Sequence, residues 1–239
     1  MLTCLLSVQK PGYFTRQLTK NFENLDEQHG GIGSIRDDGG NVIQFKYGED
    51  GFDPMCLVKQ NIEELREYTV NSFLKEGGWF NDDLPQTEWL ELWAKLAHTS
   101  FCEASKLIQI SKNYAARLPL DVRHVLHAVM DQASDAPSKP QMTGRVLEVI
   151  FRGICILYFK TIRPSLHNAH LSHMVAFIIV RDLQPAYVLP HIRSGRLTTQ
   201  KVREVIDVLK YRWARALIQP GEKVGVIAAQ SLGQLAMQV

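Results

Sequence analysis

Three sets of residues in this chain are of types that could do chemistry. Glu49, Asp50 and Asp53 crowd the segment YGEDGFDP (Tyr47–Pro54). Carboxylates in a glycine-rich turn are the raw material of a cation site, but the ligand set of a calcium loop is incomplete here, and a solvated turn accounts for them. His167, His170 and His173 in SLHNAHLSH are imidazoles that could ligate a metal. Their i, i+3, i+6 spacing does not gather all three on one helical face. No cysteine is near, and the i, i+4 pair of helical zinc sites is missing, so they read as surface or packing histidines. Gln230 and Ser231 put two hydrogen-bonding side chains into the apolar run VGVIAAQSL (Val224–Leu232), and Gly233 breaks that run. No phosphate-binding loop of the GxxxxGK[ST] type, no GxSxG elbow and no HExxH occurs in the chain. The residues by themselves announce no self-contained catalytic site and no metal site.

Composition sets the background. A chain of 239 residues can bury a sizeable core in one or two domains, and its 45% hydrophobic and 22% charged residues are those of an ordinary globular protein. The net charge of +2 does not by itself announce a nucleic-acid binder. Charge is unevenly spread, however. Residues 23–53 lean acidic, and Arg145–Lys223 carries an excess of Lys and Arg, which suits a nucleic-acid-facing or partner-facing surface, or more simply a solvated helix face. Cys4, Cys56, Cys102 and Cys155 lie far apart with no CxxC pair, which argues for a reducing compartment. MLTCLLSV is too short for a secretory signal, and the apolar stretch MVAFIIV (Met174–Val180) is far too short to cross a bilayer.

Periodicity predicts a mainly α chain with a small β portion. Residues 3–25 read as a helix, with Tyr13, Phe14, Leu18, Phe22 and Leu25 at three- and four-residue spacings. Pro11-Gly12 is either a bend inside that helix or its start, since proline suits the first helical position. In NVIQFKY (Asn41–Tyr47), Val42, Gln44 and Lys46 alternate with Ile43, Phe45 and Tyr47. That is the period of a half-buried strand, and DDGGN before it signals a hairpin turn. From about Asn61 the pattern is mostly helical. Trp89, Leu92, Trp93 and Leu96 share one face behind a candidate cap at Thr87. SDAPSKPQM (Ser134–Met142) reads as an exposed loop, and GRVLEVIFRGICILYFKTI (Gly144–Ile162) fits a buried helix or a strand pair. The cleanest helix begins at Thr198 or Thr199 and ends at Pro220-Gly221. Val202, Val205, Ile206, Leu209, Trp213, Ala216 and Leu217 form its apolar stripe, and its other face is basic.

Three segments carry a family resemblance. NVIQFKYGEDGFDP (Asn41–Pro54) resembles the NxVQFxYGEDGxDP segment of the largest subunit of multisubunit DNA-dependent RNA polymerases, of the eukaryotic, archaeal and large-DNA-virus branch. PGEKVGVIAAQSLG (Pro220–Gly233) resembles that subunit's PGExVGxxAAQSIG, and GYFTRQLTKNFENL (Gly12–Leu25) its GYxxRxLxKxxEDL. The three occur in the family's order, and the resemblance covers essentially the whole chain, more weakly across the middle.

The resemblance implies a segment of that subunit rather than a complete autonomous fold. Residues 1–25 would be the C-terminal half of the bridge helix, which crosses the active-site cleft against the template strand. Pro11-Gly12 would then fall where a bending helix needs a soft point. Residues 26–54 would be a glycine-rich cleft segment, 55–197 the helical foot, and 198–239 a helix leading into the trigger loop that closes over the incoming nucleotide. Tyr13, Arg16 and Lys20 match positions on the nucleic-acid or packing side of the bridge helix. Gln230 and Ser231 match the base of the trigger loop, and Gln238 matches the glutamine that contacts the nucleotide's ribose. Where the family continues GEPATQMTLNTFH, this chain reads GQLAMQV, so Gln234-Leu235 replace Glu-Pro while Ala236 and Gln238 stay in register. The implied function is DNA-templated RNA synthesis from nucleoside triphosphates, with other polymerase subunits, template DNA and the RNA–DNA hybrid as partners and no membrane. The implied Mg²⁺ would sit on the aspartates of an NADFDGD loop outside this sequence, so the isolated chain is expected to be inactive and holds no catalytic residue of its own. A piece of a longer or split gene is the favoured reading, with a truncated non-catalytic paralogue acting as a protein-binding module as the alternative and a decaying gene as the third. The nucleus is the expected location for a eukaryotic source, the cytoplasm or virion for an archaeal or viral one.

Overall fold

Helix dominates, as the periodicity predicts, and the β content is small. The structure, a computed structural model, describes residues 2–27, 33–62, 65, 68–79, 88–111, 115–131, 143–166 and 169–237. In chain order, α1 spans Leu2–Phe22, then β1 Asp26–Glu27, β2 Ile35–Arg36, β3 Val42–Gln44 and β4 Val58–Asn61. Next come α2 Val70–Glu76, α3 Glu88–Ser111, β5 Ala115–Leu118, α4 Val122–Asp131 and α5 Thr143–Leu157. A π-helical segment, Tyr158–Ile162, and a helical turn at Arg163–Ser165 lead on to α6 Ala169–Asp182, α7 Pro185–Arg193, α8 Thr199–Ala216 and α9 Val224–Met237. Thr87, His167, the loop 134–142 and Gln238 lie outside the described residues, as do the side chains of Cys4, Trp89 and Ala236. Among the described residues no helix is long and apolar enough to cross a membrane.

The chain forms two compact units, one of Met1–Met55 with Arg215–Val239, the other Cys56–Ala214. In the first, β1, β2 and β3 form an antiparallel sheet beside α1 and α9. Its small core joins Ile35, Ile218 and Val224, with Leu25 and Tyr47 packed against them. Phe52, 2% exposed, bridges to Leu217, and Ile218 N–H donates to the Gly51 carbonyl at 3.0 Å. Helix α8 therefore stops at Ala216, ahead of the expected Pro220-Gly221 boundary. Leu217 leaves the helical stripe because its backbone pairs across to Phe52. The strand at NVIQFKY is also not half-buried. Val42, Ile43 and Gln44 are all exposed and Phe45 is 83% exposed, because β3 is an edge strand of the sheet and the small core gathers on Ile35 of β2 and on Tyr47 beyond the strand.

The second unit is built on aromatic packing. Phe73, Phe101 and Phe177 from α2, α3 and α6 meet with centroids 4.9–5.9 Å apart. Trp93, fully buried, lies 6.1 Å from Phe151 of α5. Each such side chain contributes roughly 1.5–3 kcal/mol on burial. Leu92, expected on the same inner face as Trp93, is instead 39% exposed, because one residue along a helix turns the side chain by about 100°. Thr69 caps α2 in a reciprocal box with Ser72: Ser72 N–H donates to Thr69 Oγ1 at 3.3 Å, and Thr69 N–H to Ser72 Oγ at 2.9 Å. The ambiguous segment 144–162 is helix, not a strand pair. Val146, Leu147, Ile150, Phe151, Ile154 and Cys155 bury one stripe of α5. Burial pushes the Cys155 thiol up to about 11, so it packs as a small apolar side chain. Thr198 caps α8, accepting from Lys201 N–H at 3.4 Å.

The helical reading from Asn61 onward missed a two-stranded sheet. β4 and β5 pair antiparallel from Val58–Leu118 to Asn61–Ala115. A buried network ties β4 to α6. Arg181 donates Nε to Asp182 at 2.8 Å, Nη1 to the Asn61 carbonyl at 2.6 Å and Nη2 to Gln60 Oε1 at 3.2 Å. Gln60 Nε2 passes the connection on to the Leu120 carbonyl at 3.1 Å. Arg123 of α4 reaches Asp182 from the outside at 3.1 Å.

Candidate functional site

Within the first unit the motif-bearing helices α1 and α9 lie against each other, and glycine makes that possible. Along α9, Gly225, Ala229 and Gly233 are buried at i, i+4 and i+8, which is one helical face. A Cβ on Gly225 would collide with the Phe22 carbonyl oxygen and stand 2.8 Å from Leu25 Cβ; one on Gly233 would stand 2.9 Å from Thr15 Cβ. Gly233 therefore does not break the apolar run. It sits inside α9 as a contact point where α1 comes closest. On α1 the matching face carries Thr15, Leu18, Thr19 and Phe22, all half-buried. The helix continues unbroken on both sides of Pro11-Gly12 and does not start there.

The ends of the pair are tied as well. The first amides of a helix lack partners within it, and here Gly225 N–H donates to the Leu25 carbonyl at 3.1 Å. Gly221 N–H, in a turn with φ 83°, donates to the Glu27 carbonyl at 2.7 Å. Glu27 N–H donates to the Glu222 carbonyl at 3.2 Å. Lys223 Nζ reaches Asp26 at 2.9 Å, and that carboxylate raises the Lys223 pKa. The segment leaving α1 and the segment entering α9 thus form one joint.

The sequence-predicted residues fall outside this seam. Tyr13, Arg16 and Lys20, at i, i+3 and i+7, are exposed on one side of α1, with Tyr13 70% exposed. Lys20 pairs with Glu23 at 3.1 Å on the surface. The three make a cationic, aromatic-edged helix face, the combination that suits phosphates and stacked bases. Gln230 and Ser231 are exposed on α9, away from α1, and Ser231 Oγ donates to the Ile227 carbonyl at 2.9 Å. The acidic turn works on its own backbone. Asp50 Oδ1 accepts from Phe52 N–H at 3.0 Å and Asp53 Oδ1 from Met55 N–H at 2.9 Å, while Glu49 takes φ 68°. Burial lowers the Lys46 pKa and raises that of Tyr47, whose ring faces the charges of Asp53, Asp50 and Glu222. His170 is exposed and His173 half-buried on α6, and among the described residues no group of three or more His, Cys, Asp or Glu could hold a metal. Reasoning from sequence missed Gly225 and the contact role of Ala229; the apolar run reads as buried throughout, whereas Ala229 is buried and Ala228 and Ile227 are exposed. The signal of Gly225 and Ala229 was available as small residues four apart in VGVIAAQSLG.

A protein-family model described as RNA polymerase Rpb1, domain 5, matches residues 6–239. The DNA-directed RNA polymerase III subunit rpc1 of Schizosaccharomyces pombe is 20% identical over 234 residues, which cover 95% of this chain and 14% of that protein. The chain therefore spans a small part of that relative's length. The motifs that the two bonded helices carry sit inside that match, and the chain belongs to the RNA polymerase Rpb1 domain 5 family, a part of the polymerase largest subunit.

Proposed function

We propose that the chain serves DNA-templated RNA synthesis as the part of a largest subunit that couples template contact to nucleotide closure. The observation that supports this most is the glycine-mediated seam between α1 and α9, which joins the helix bearing Tyr13, Arg16 and Lys20 to the helix that carries the AAQS motif. In this reading residues 1–25 are bridge helix, 26–54 a cleft segment, 55–197 the foot, and 198–239 the approach to the trigger loop. Arg16 and Lys20 neutralise template phosphates, Tyr13 lies against a base or sugar, and Gln238 meets the nucleotide's ribose. A shift of α1 as the template advances is passed through the seam to α9, on which Gln230 and Ser231 are carried. Mg²⁺ supplies charge neutralisation at the reacting oxygens and is held by carboxylates elsewhere in the assembled enzyme. The isolated chain is then inactive. Its partners are the other polymerase subunits, template DNA, the RNA–DNA hybrid and nucleoside triphosphates, and similarity to a eukaryotic polymerase III subunit favours the nucleus.

Polymerase assembled with Arg16→Ala plus Lys20→Ala tests the reading. Elongation on a DNA template is expected to slow by about tenfold at moderate salt, and the salt slope of template binding to fall by about one per lost phosphate contact. Lys75→Ala, on α2, is the control and leaves both unchanged. If the double variant elongates like the control with the same salt slope, α1 does not carry template.

A further inference from the structure

A cleft of about 440 Å³ opens in the second unit between α3, α6 and the π-helical segment. That volume lies within the range of about 300–1,000 Å³ typical of ligand sites. Its walls are apolar: Leu92 and Leu96 of α3, Phe159 of the π segment, and Leu166. Leu92 and Phe159 are 39% and 37% exposed, so this apolar surface faces solvent. The floor is polar. The buried hydroxyls of Tyr158 and Ser172 are bonded at 2.8 Å, and the buried Nδ1 of His173 has no hydrogen-bond partner. The π turn lets the consecutive aromatic residues Tyr158 and Phe159 line the same cleft, a distortion often found at functional sites.

Two cations complete the lining. Lys95 and Arg163 are both exposed, and neither has a carboxylate partner among the described residues. Arg163 stands 5.9 Å from the centroid of the Phe159 ring. Glu103, whose carboxylate feels the charge of His173, is itself paired with Lys106 at 2.8 Å. The cleft thus offers an apolar slot, an unused ring nitrogen and two unpaired cations, which complement an apolar group next to a negative charge. An open wall suits a side chain projecting from a larger partner. A free metabolite would have about 70–90% of its surface buried in its site.

We propose that this cleft docks a partner polypeptide through a bulky apolar side chain flanked by acidic residues. The inference stands on the second unit alone and does not depend on how α1 and α9 act. The test uses the full chain and two fluorescein-labelled hexapeptides, one alternating Leu/Phe with Asp/Glu, the other with Asn/Gln in place of the acids, read by fluorescence anisotropy. The acidic peptide is expected to bind with Kd below about 1 mM, a binding free energy of at least about 4 kcal/mol. The amide peptide is expected to bind about tenfold more weakly, as is the acidic peptide to Lys95→Glu or Arg163→Glu. Ala169→Trp, which fills the cleft from an exposed position, should abolish binding with an unchanged circular dichroism spectrum. Equal binding of the two peptides, no binding of either, or binding that survives both charge reversals overturns the proposal. So does binding of indole-3-acetate without the peptide, which would assign the cleft to a small carboxylate.

Discussion

Arg181→Ala is expected to destabilise the second unit by about 3–5 kcal/mol, the range for removing one partner of a buried ion pair. Arg181 and Asp182 are 6% and 1% exposed. The substitution strips the donor from Asp182, from the Asn61 carbonyl and from Gln60 at once, leaving Asp182, among the described residues, the half-exposed Arg123. The loss comes from orphaned groups, not from a large net value of the pair. Burial pushes the Asp182 carboxyl above its ordinary value, against the pull of Arg181 and then Arg123. A folded pKa above the unfolded one means that the group's contribution is complete below the unfolded value and is lost as pH rises through the folded value. At neutral pH the charged carboxylate is therefore a burden that Arg181 makes tolerable. Chemical unfolding at pH 7 should show the large loss for Arg181→Ala. The double variant Arg181→Met with Asp182→Leu, which buries no charge, should recover most of it. A double variant as damaged as the single one would mean that the bonds to Gln60 and Asn61, not the charge, hold β4 to α6.

Gly225→Val is expected to open the joint between α1 and α9 at a cost of about 3 kcal/mol, the upper range for forcing extra atoms into a packed contact. The added carbon meets backbone, the Phe22 carbonyl, which cannot swing aside. Gly233→Ala should cost less, because it adds a single carbon that meets a side chain rather than backbone, although Thr15 Cβ at 2.9 Å does not move with the rotamer and α1 must give slightly. Gly12→Ala provides the opposite sign. Nothing lies within 4 Å of its added carbon, so alanine gains up to about 1 kcal/mol of helix propensity. Hydrogen exchange across α9 reads all three: protection lost with Gly225→Val, partly lost with Gly233→Ala and kept with Gly12→Ala. In the assembled polymerase the proposed soft point predicts slower elongation for Gly12→Ala despite its greater stability. A Gly225→Val chain with wild-type protection in α9 would remove the seam from the account.

How much of this was legible follows from which forces set each element. The helix α8 could be read because its stripe from Val202 to Trp213 and its Thr198 cap are local signals that tertiary packing then agrees with. β4 and β5 could not, since VKQN and AARL carry no alternation and are paired through partners more than fifty residues apart. The strand at Val42–Gln44 was found but its burial was not, because burial depends on a second layer that periodicity cannot report. Nothing in the sequence around MVAFIIV marks the Arg181-Asp182 that follows it as buried. Only the fold reveals that Gln60 and Asn61 wait there to receive the guanidinium. At the candidate site, Tyr13, Arg16 and Lys20 were legible as one helix face. The seam was not, because glycine reads first as a breaker, and only a neighbouring helix turns the missing side chain into a contact.

The central claim is that this chain works inside an RNA polymerase. The most direct measurement is to take native extract from the source, capture the product with an antibody raised against residues 60–130, and size it under native conditions while assaying DNA-templated RNA synthesis in the same fractions. The account predicts that the antigen elutes in an assembly many times larger than 27.1 kDa, together with Mg²⁺-dependent RNA synthesis that the antibody depletes. Antigen that elutes at 27.1 kDa, apart from every fraction that makes RNA, would contradict it.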